Sequence, residues 1–272
     1  MVKKIQDHFS KISNKYRNLR MTDLKPILFI TNKLKKFPKI TAADIGSGAG
    51  RYDLQLFRYL GKKLYLYCVD ANKKMLEQLS SYLSSHNIKR FQTIKSFARK
   101  LPDLIKPLDC IFTFNAIQHF KILGFLNETS QILKKNGYLF IYTRLRSQNK
   151  RSIWGKYFPF FNQKETRLYE LNELKKIIKK VSQLKIESVK FFKYKRKSTL
   201  NCLIEQAKKK HYSTFFLYKH KEFKQSLERF EVNIKKHFKD LKNITWFYEN
   251  ILLILKKIDQ KYQNDPRCFR SS

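Results

Sequence analysis

The stretch Asp44-Ile45-Gly46-Ser47-Gly48-Ala49-Gly50-Arg51-Tyr52 decides how this chain is read. Only seven glycines occur in 272 residues, and three of them stand at alternate positions here. The apolar run Ile40 to Ile45 leads in and the amphipathic segment Tyr52 to Leu60 leads out, the pattern of strand, tight loop and helix. Glycine belongs where a backbone turns sharply or lies close to a ligand. A loop of this kind at the carboxyl end of a first strand commonly holds a nucleotide-like molecule.

Three ligand classes compete for the loop. A phosphate-binding P-loop requires Gly-Lys-Ser/Thr, and no such triplet follows. A dinucleotide fingerprint requires a further glycine where this chain has Arg51. Asp44 places a carboxylate just before the loop, which repels a pyrophosphate but suits a ligand carrying an ammonium group and a ribose. S-adenosylmethionine is such a ligand. Leu64-Tyr65-Leu66-Tyr67-Cys68-Val69-Asp70 then reads as a buried second strand ending in a carboxylate, placed to accept both ribose hydroxyls. Alternatively, Asp70 caps the helix that begins near Lys73.

Asp44 to Tyr52, followed by Asp70-Ala71-Asn72-Lys73-Lys74-Met75-Leu76, resembles the class I S-adenosylmethionine-dependent methyltransferases, particularly the small-molecule type of quinone biosynthesis. Leu101-Pro102, Leu108 to Phe112, Ala116-Ile117-Gln118-His119-Phe120 and Leu133 to Ile141 extend the resemblance. It implies a cofactor site built from Asp44, Gly46, Ser47, Gly48, Gly50, Asp70, Ala71, Met75, Phe97, Ala98 and Asn115. It also implies an aromatic, Tyr16, closing over the methyl donor from an entry segment; a stripe packed on the sheet is the plainer reading of Phe9, Tyr16 and Arg20. One departure concerns Phe97, which stands where the family often has an acidic residue for the adenine amino group, so stacking or backbone contact takes its place.

The chain is long enough for a full core and has no apolar run near the roughly 18 residues of a membrane span. Its start lacks the apolar centre of a signal peptide. Cys68, Cys110, Cys202 and Cys268 form no metal-ligand pattern, so no metal is expected and reduced thiols point to the cytoplasm. With 59 basic and 21 acidic residues the net charge is +38. Such a field attracts polyanions, including RNA, but the charge is spread evenly along the chain. A drift of composition toward Lys, Ile, Asn, Phe and Tyr is the simpler reading.

Strands at 40–45, 64–70, 90–95, 109–115 and 138–145 alternate with helices at 51–60, 73–86 and 122–135. This predicts an α/β protein with a Rossmann-like doubly wound sheet, mostly parallel with an antiparallel last strand, plus a helical insert. The expected divisions are a helical cofactor-covering segment at 1–38, a methyltransferase domain at 39–197 and 249–258, an insert over the acceptor site at 198–248, and a disordered tail at 259–272. From Arg146 to Thr166 an aromatic and basic loop leaves the fifth strand, where it can overhang the crevice. Asp44, Asp70 and Asn115 end three strands and should converge.

Methyl transfer from a sulfonium is an in-line displacement in which alignment supplies much of the rate, and a protein base is needed only for a protonated acceptor. His119, four residues after Asn115, is the candidate base, with positioning or helix entry as the plainer reading. His211 and Tyr212 in the insert are further candidates facing the acceptor. Arg144 and Arg146 are candidates for an anionic acceptor group, against a solvated surface. The leading expectation is transfer to a small-molecule acceptor. Ala42 to Asp44, Gly50 to Tyr52, Ala116 to His119 and Leu139 to Tyr142 also resemble the wobble-uridine tRNA methyltransferases. A non-catalytic cofactor-binding partner subunit is the third reading.

Overall fold

A computed structural model describes residues 21–98, 101 and 107–258. The entry segment with Tyr16 and the tail after Ile258 lie outside the described residues. Seven strands form one sheet in the order β3-β2-β1-β4-β5-β7-β6. They are β1 (Ile40–Ile45), β2 (Leu64–Asp70), β3 (Phe91–Lys95), β4 (Leu108–Phe114), β5 (Leu133–Thr143), β6 (Leu184–Ser198) and β7 (Ile244–Lys257). β1 to β5 pair in parallel, and β7 runs antiparallel to both its neighbours. The doubly wound sheet with an antiparallel last strand is therefore as the alternation predicts.

Both faces of the central strands are buried, so they read as continuous apolar runs. Along β5, Leu139 and Ile141 enter one core, while Phe140 and Tyr142 enter the other. The first core is closed by α4 (Ile122–Ile132) and α8 (Leu171–Ile178) through Phe125, Leu126, Leu174 and Ile178. The second is closed by α1 (Leu24–Lys33), α2 (Asp53–Leu60) and α3 (Lys73–Ser85), through Ile27, Ile30, Leu54, Phe57, Leu79 and Leu83. Strand order reverses between β1 and β4, and at such a switch point the chain leaves a crevice at the strands' carboxyl ends.

The far edge of the sheet departs from the expected boundaries. β7 begins at Ile244, so Ile244 to Tyr248, expected within the insert, are strand. Their partners are residues of β6 only: Ser198 pairs with Ile244 and Phe192 with Asn250, whereas β5 joins β7 no earlier than Ile251. A two-stranded ribbon therefore runs on past the end of β5. Here β7 reads Ile244-Thr245-Trp246-Phe247-Tyr248-Glu249, a mix of aromatic and polar residues instead of the apolar run from Ile251 to Leu255, because the ribbon is not buried on both faces. That pattern hid it in the sequence.

At the ribbon's tip sits the insert, with α9 (Leu200–Lys208), a 3-10 turn at Ser213–Leu217 and α10 (His220–His237). The stretch after β5 is not an overhanging loop. It folds into α5 (Arg146–Arg151), α6 (Ile153–Tyr157) and α7 (Phe161–Lys164), whose aromatics turn away from solvent into a third core. Trp154 stacks on Phe230 with ring centroids 5.0 Å apart, and Phe215 meets Trp154, Phe158 and Phe161. The insert and these helices thus form one cap. No helix among the described residues is long and apolar enough to cross a membrane.

Since Trp154 is shared by both halves of the cap, Trp154→Ala should cost about 3–5 kcal/mol there. Hydrogen exchange should show lost protection in 199–243 and retained protection in β1 and β4. Uniform protection in the variant would contradict a shared core.

Candidate cofactor site

The loop after β1 is held in shape from below. Gly46 and Ser47 donate their backbone N–H groups to Val69 O at 2.8 and 3.1 Å, which fixes the loop against β2. Gly46 has φ +79°, and a Cβ there would lie 2.6 Å from Ala116 Cβ. Gly50 has φ +81°, and its added Cβ would meet Leu79 Cγ of α3 at 3.0 Å. Both positions therefore exclude side chains for two independent reasons, backbone conformation and space.

Asp70 does not cap α3. Asn72 does, accepting from Met75 N at 3.2 Å, while the Met75 side chain is buried. The Asp70 carboxylate instead accepts from Gly48 N at 2.9 Å and Asn72 N at 2.8 Å, tying the ends of β1 and β2 together with Ala71 between. Each oxygen keeps a lone pair for a ribose hydroxyl. Beyond β3, Ser96 N donates to Asp70 O at 3.1 Å. Phe97 is 46% exposed beside it, while Ala98 is packed inward.

Asp44, one residue before the end of β1, is only 2% exposed, and its carboxyl is hydrogen-bonded to a second acid. A buried carboxyl held only against another acid is costly, so the group calls for a cationic or donor ligand. It has a neighbour that sequence reasoning missed: Asp53, the first residue of α2, is fully buried and accepts a weak hydrogen bond from Cys68 Sγ at 3.6 Å. Burial pushes the Asp53 carboxyl up to about 7, and burial with repulsion from Asp53 and Asp70 holds Asp44 well above the usual carboxylate range. Burial also raises Asp70 and keeps Cys68 a thiol. In sequence, Asp53 looked like an acidic residue in a helix's first turn; only its depth shows its connection to Asp44.

Asn115 follows β4 with φ +54°, a conformation Asn tolerates. Its N–H donates to Tyr142 O at 2.7 Å and its Oδ1 accepts from Asn250 Nδ2 at 3.0 Å. Asp44, Gly46, Asp70 and Asn115 are thus brought to one end of the sheet. His119 closes a 3-10 turn and is exposed. His211 is 5% exposed and points into the cap's core, with Nδ1 2.9 Å from Gln206 O and its ring 5.1 Å from Trp154. Tyr212, its neighbour, packs against it with ring centroids 4.2 Å apart, and its hydroxyl accepts from Arg144 at 3.4 Å. No group of three or more metal-ligating side chains occurs among the described residues.

These residues fit S-adenosylmethionine. Asp44 would meet its ammonium group, Asp70 its ribose, and the Gly46–Gly50 backbone would lie against the amino-acid portion.

Comparison with known proteins agrees. Residues 42–137 match the family model described as a methyltransferase domain. No curated protein matches the sequence. Among solved structures, the YcgJ protein of Bacillus subtilis aligns over 87% of this chain and 100% of its own, at 15% identity and a TM-score of 0.61. A SAM-dependent methyltransferase from Aquifex aeolicus aligns over 65% and 90%, at 22% identity and a TM-score of 0.50. Geranyl diphosphate C-methyltransferase from Streptomyces coelicolor, solved with S-adenosyl-L-homocysteine, aligns over 85% and 75%, at 13% identity and a TM-score of 0.52. At these identities the likeness is one of fold. The chain thus has the fold of these methyltransferase structures, and over residues 42–137 it matches a methyltransferase domain.

The Asp53 carboxyl gives a pH prediction. Its folded-state value lies above the ordinary Asp value, so the folded state binds more protons than the unfolded one between about pH 4 and 7. Stability from this group is full below pH 4 and lost as pH rises through 7. Asp53→Asn should therefore flatten the fall in melting temperature between pH 5 and 8. An unchanged profile would show that the pair does not titrate there.

Proposed function

We propose that this protein is an S-adenosylmethionine-dependent methyltransferase acting on a small-molecule acceptor. The observation that carries the cofactor is the buried Asp44 carboxyl, paired with a second acid, Asp53, at the mouth of a glycine loop whose far side is tied to Asp70. The bound cofactor would supply a methyl group already activated on a sulfonium. The chain's part is to bind, orient and exclude water.

The cap supports a small acceptor. Ribbon and cap project past the ends of β4 and β5, and Tyr212 ties the cap to Arg144 at the end of the sheet. This makes a roof over the crevice beside Asn115, the arrangement of a site closed around a compact molecule. Removing the insert whole would strip the third core from α5–α7, so point variants are the cleaner probe. Arg146 serves this docking: it pairs with Glu173 at 2.9 Å and donates to Leu168 O, which fixes α5 to α8. His119, exposed beside Asn115, remains the candidate base, and Tyr212 the candidate acceptor contact. His211 would act through the cap's packing. The charge of +38 favours RNA as the second acceptor class.

Calorimetry should show that S-adenosylmethionine and S-adenosylhomocysteine bind while NAD does not. Asp70→Ala should weaken binding by about 1.5–3 kcal/mol, the scale of hydrogen bonds involving a charged group. NAD binding without adenosylmethionine binding would end this reading. Assays against metabolite pools and bulk RNA decide the acceptor: methylation confined to RNA would replace the small molecule.

A further inference from the structure

We propose that Arg144 is the recognition point for an anionic group, a carboxylate or phosphate, on the methyl acceptor. The inference rests on the methyltransferase reading and names its substrate class. Arg144 follows β5 on the face that bears Tyr142, Asn250 and Tyr248, and it is only 8% exposed. Charged side chains this deep are ordinarily paired. Arg146, two residues on, has its carboxylate in Glu173. Arg144 makes no ion pair among the described residues. Its guanidinium donates to Asn149 Oδ1 and Tyr212 OH, both at 3.4 Å, and lies 4.0 Å from the Tyr248 ring centroid. Two long hydrogen bonds and Tyr248, a hydrogen-bonding neighbour as well as a ring face, offer the guanidinium only neutral partners.

The surroundings add a second observation. Arg196 shares the Tyr248 ring from 5.3 Å and is ion-paired to Asp23, which also accepts from Tyr142 OH at 2.8 Å. The cluster thus holds two guanidiniums and one carboxylate, with Arg144 the unmatched charge. The hydroxyls of Tyr52 and Tyr194 and the Asn250 Oδ1 are buried nearby without a well-formed hydrogen bond. Burial raises both tyrosines, Tyr194 to about 12, so they remain neutral donors at ordinary pH. A buried cation beside spare hydroxyl donors suits an anion's oxygens.

Position links this site to the reaction. Asn115, at the end of the strand beside the cofactor loop, is bonded to Asn250, and Tyr248 lies two residues along the same face of β7. From Tyr248 the next contact is Arg144. An acceptor held there by its anionic end would extend toward Asn115.

The test titrates the full chain, with and without S-adenosylhomocysteine, with phenyl phosphate, benzoate and neutral benzamide. One of the two anions should bind at least tenfold more tightly than benzamide, and which one identifies phosphate or carboxylate. Arg144→Gln should remove that preference while leaving S-adenosylhomocysteine affinity unchanged. Arg144→Lys, which keeps the charge without the fork, should retain part of it and serves if the Gln variant does not fold. Equal binding of all three probes to the wild type, no binding of either anion, or an unchanged preference in Arg144→Gln would overturn the proposal. Failure of S-adenosylhomocysteine to bind while the anion preference persists would instead sink the methyltransferase reading and leave the anion site standing.

Discussion

The carboxyl of Asp44 sits near the end of the central strand, buried, with the Asp53 carboxyl hydrogen-bonded against it. Neither carboxyl can ionise cheaply in that place, because burial penalises charge and each repels the other. The fold sustains them by its geometry: β1 is hemmed by β2 and β4, and α2 begins directly over its end. The glycine loop exists to clear this spot, since a side chain at Gly46 would strike Ala116 and one at Gly50 would strike Leu79. A site that stores unfavourable carboxyl interactions is suited to a ligand that brings a positive charge.

Around that end of the sheet the rest of the chain builds walls. Asp70 links β2 to the loop, Asn115 links β4 to Asn250 on β7, and the β6–β7 ribbon carries the cap outward. Apolar packing holds the cap together, and its link to the sheet runs through Tyr212, Arg144 and Tyr248. Rigid packing and polar contact are thus divided. The aromatic helices form the interior of the cap, and the tyrosine–arginine layer joins it to the end of the sheet.

The sequence exposed what is local. The glycine spacing, Asp44 just before it and Asp70 at the next strand end follow from strand-loop-helix periodicity. What it hid depends on long-range pairing. Asp53 belongs with Asp44 only because α2 lies over β1. Tyr248 joins the site only because β7 starts at Ile244, ahead of the apolar run Ile251 to Leu255 that marks the strand in sequence. His211 and Tyr212 are adjacent in sequence and in ring contact, yet the Tyr212 hydroxyl reaches Arg144 while His211 bonds to Gln206 within the cap. Arg144 and Arg146 look alike in sequence, and only Glu173, on a helix far along the chain, separates their roles.

The central claim is that the ammonium group of the cofactor meets the Asp44–Asp53 carboxyls. Calorimetric titration of S-adenosylhomocysteine near pH 7, in two buffers of different ionisation enthalpy, measures this directly. Binding should release a fraction of a proton as the arriving positive charge favours the ionised pair, and Asp53→Asn should diminish that release. Absence of binding, or a binding heat that is the same in both buffers, would contradict the account.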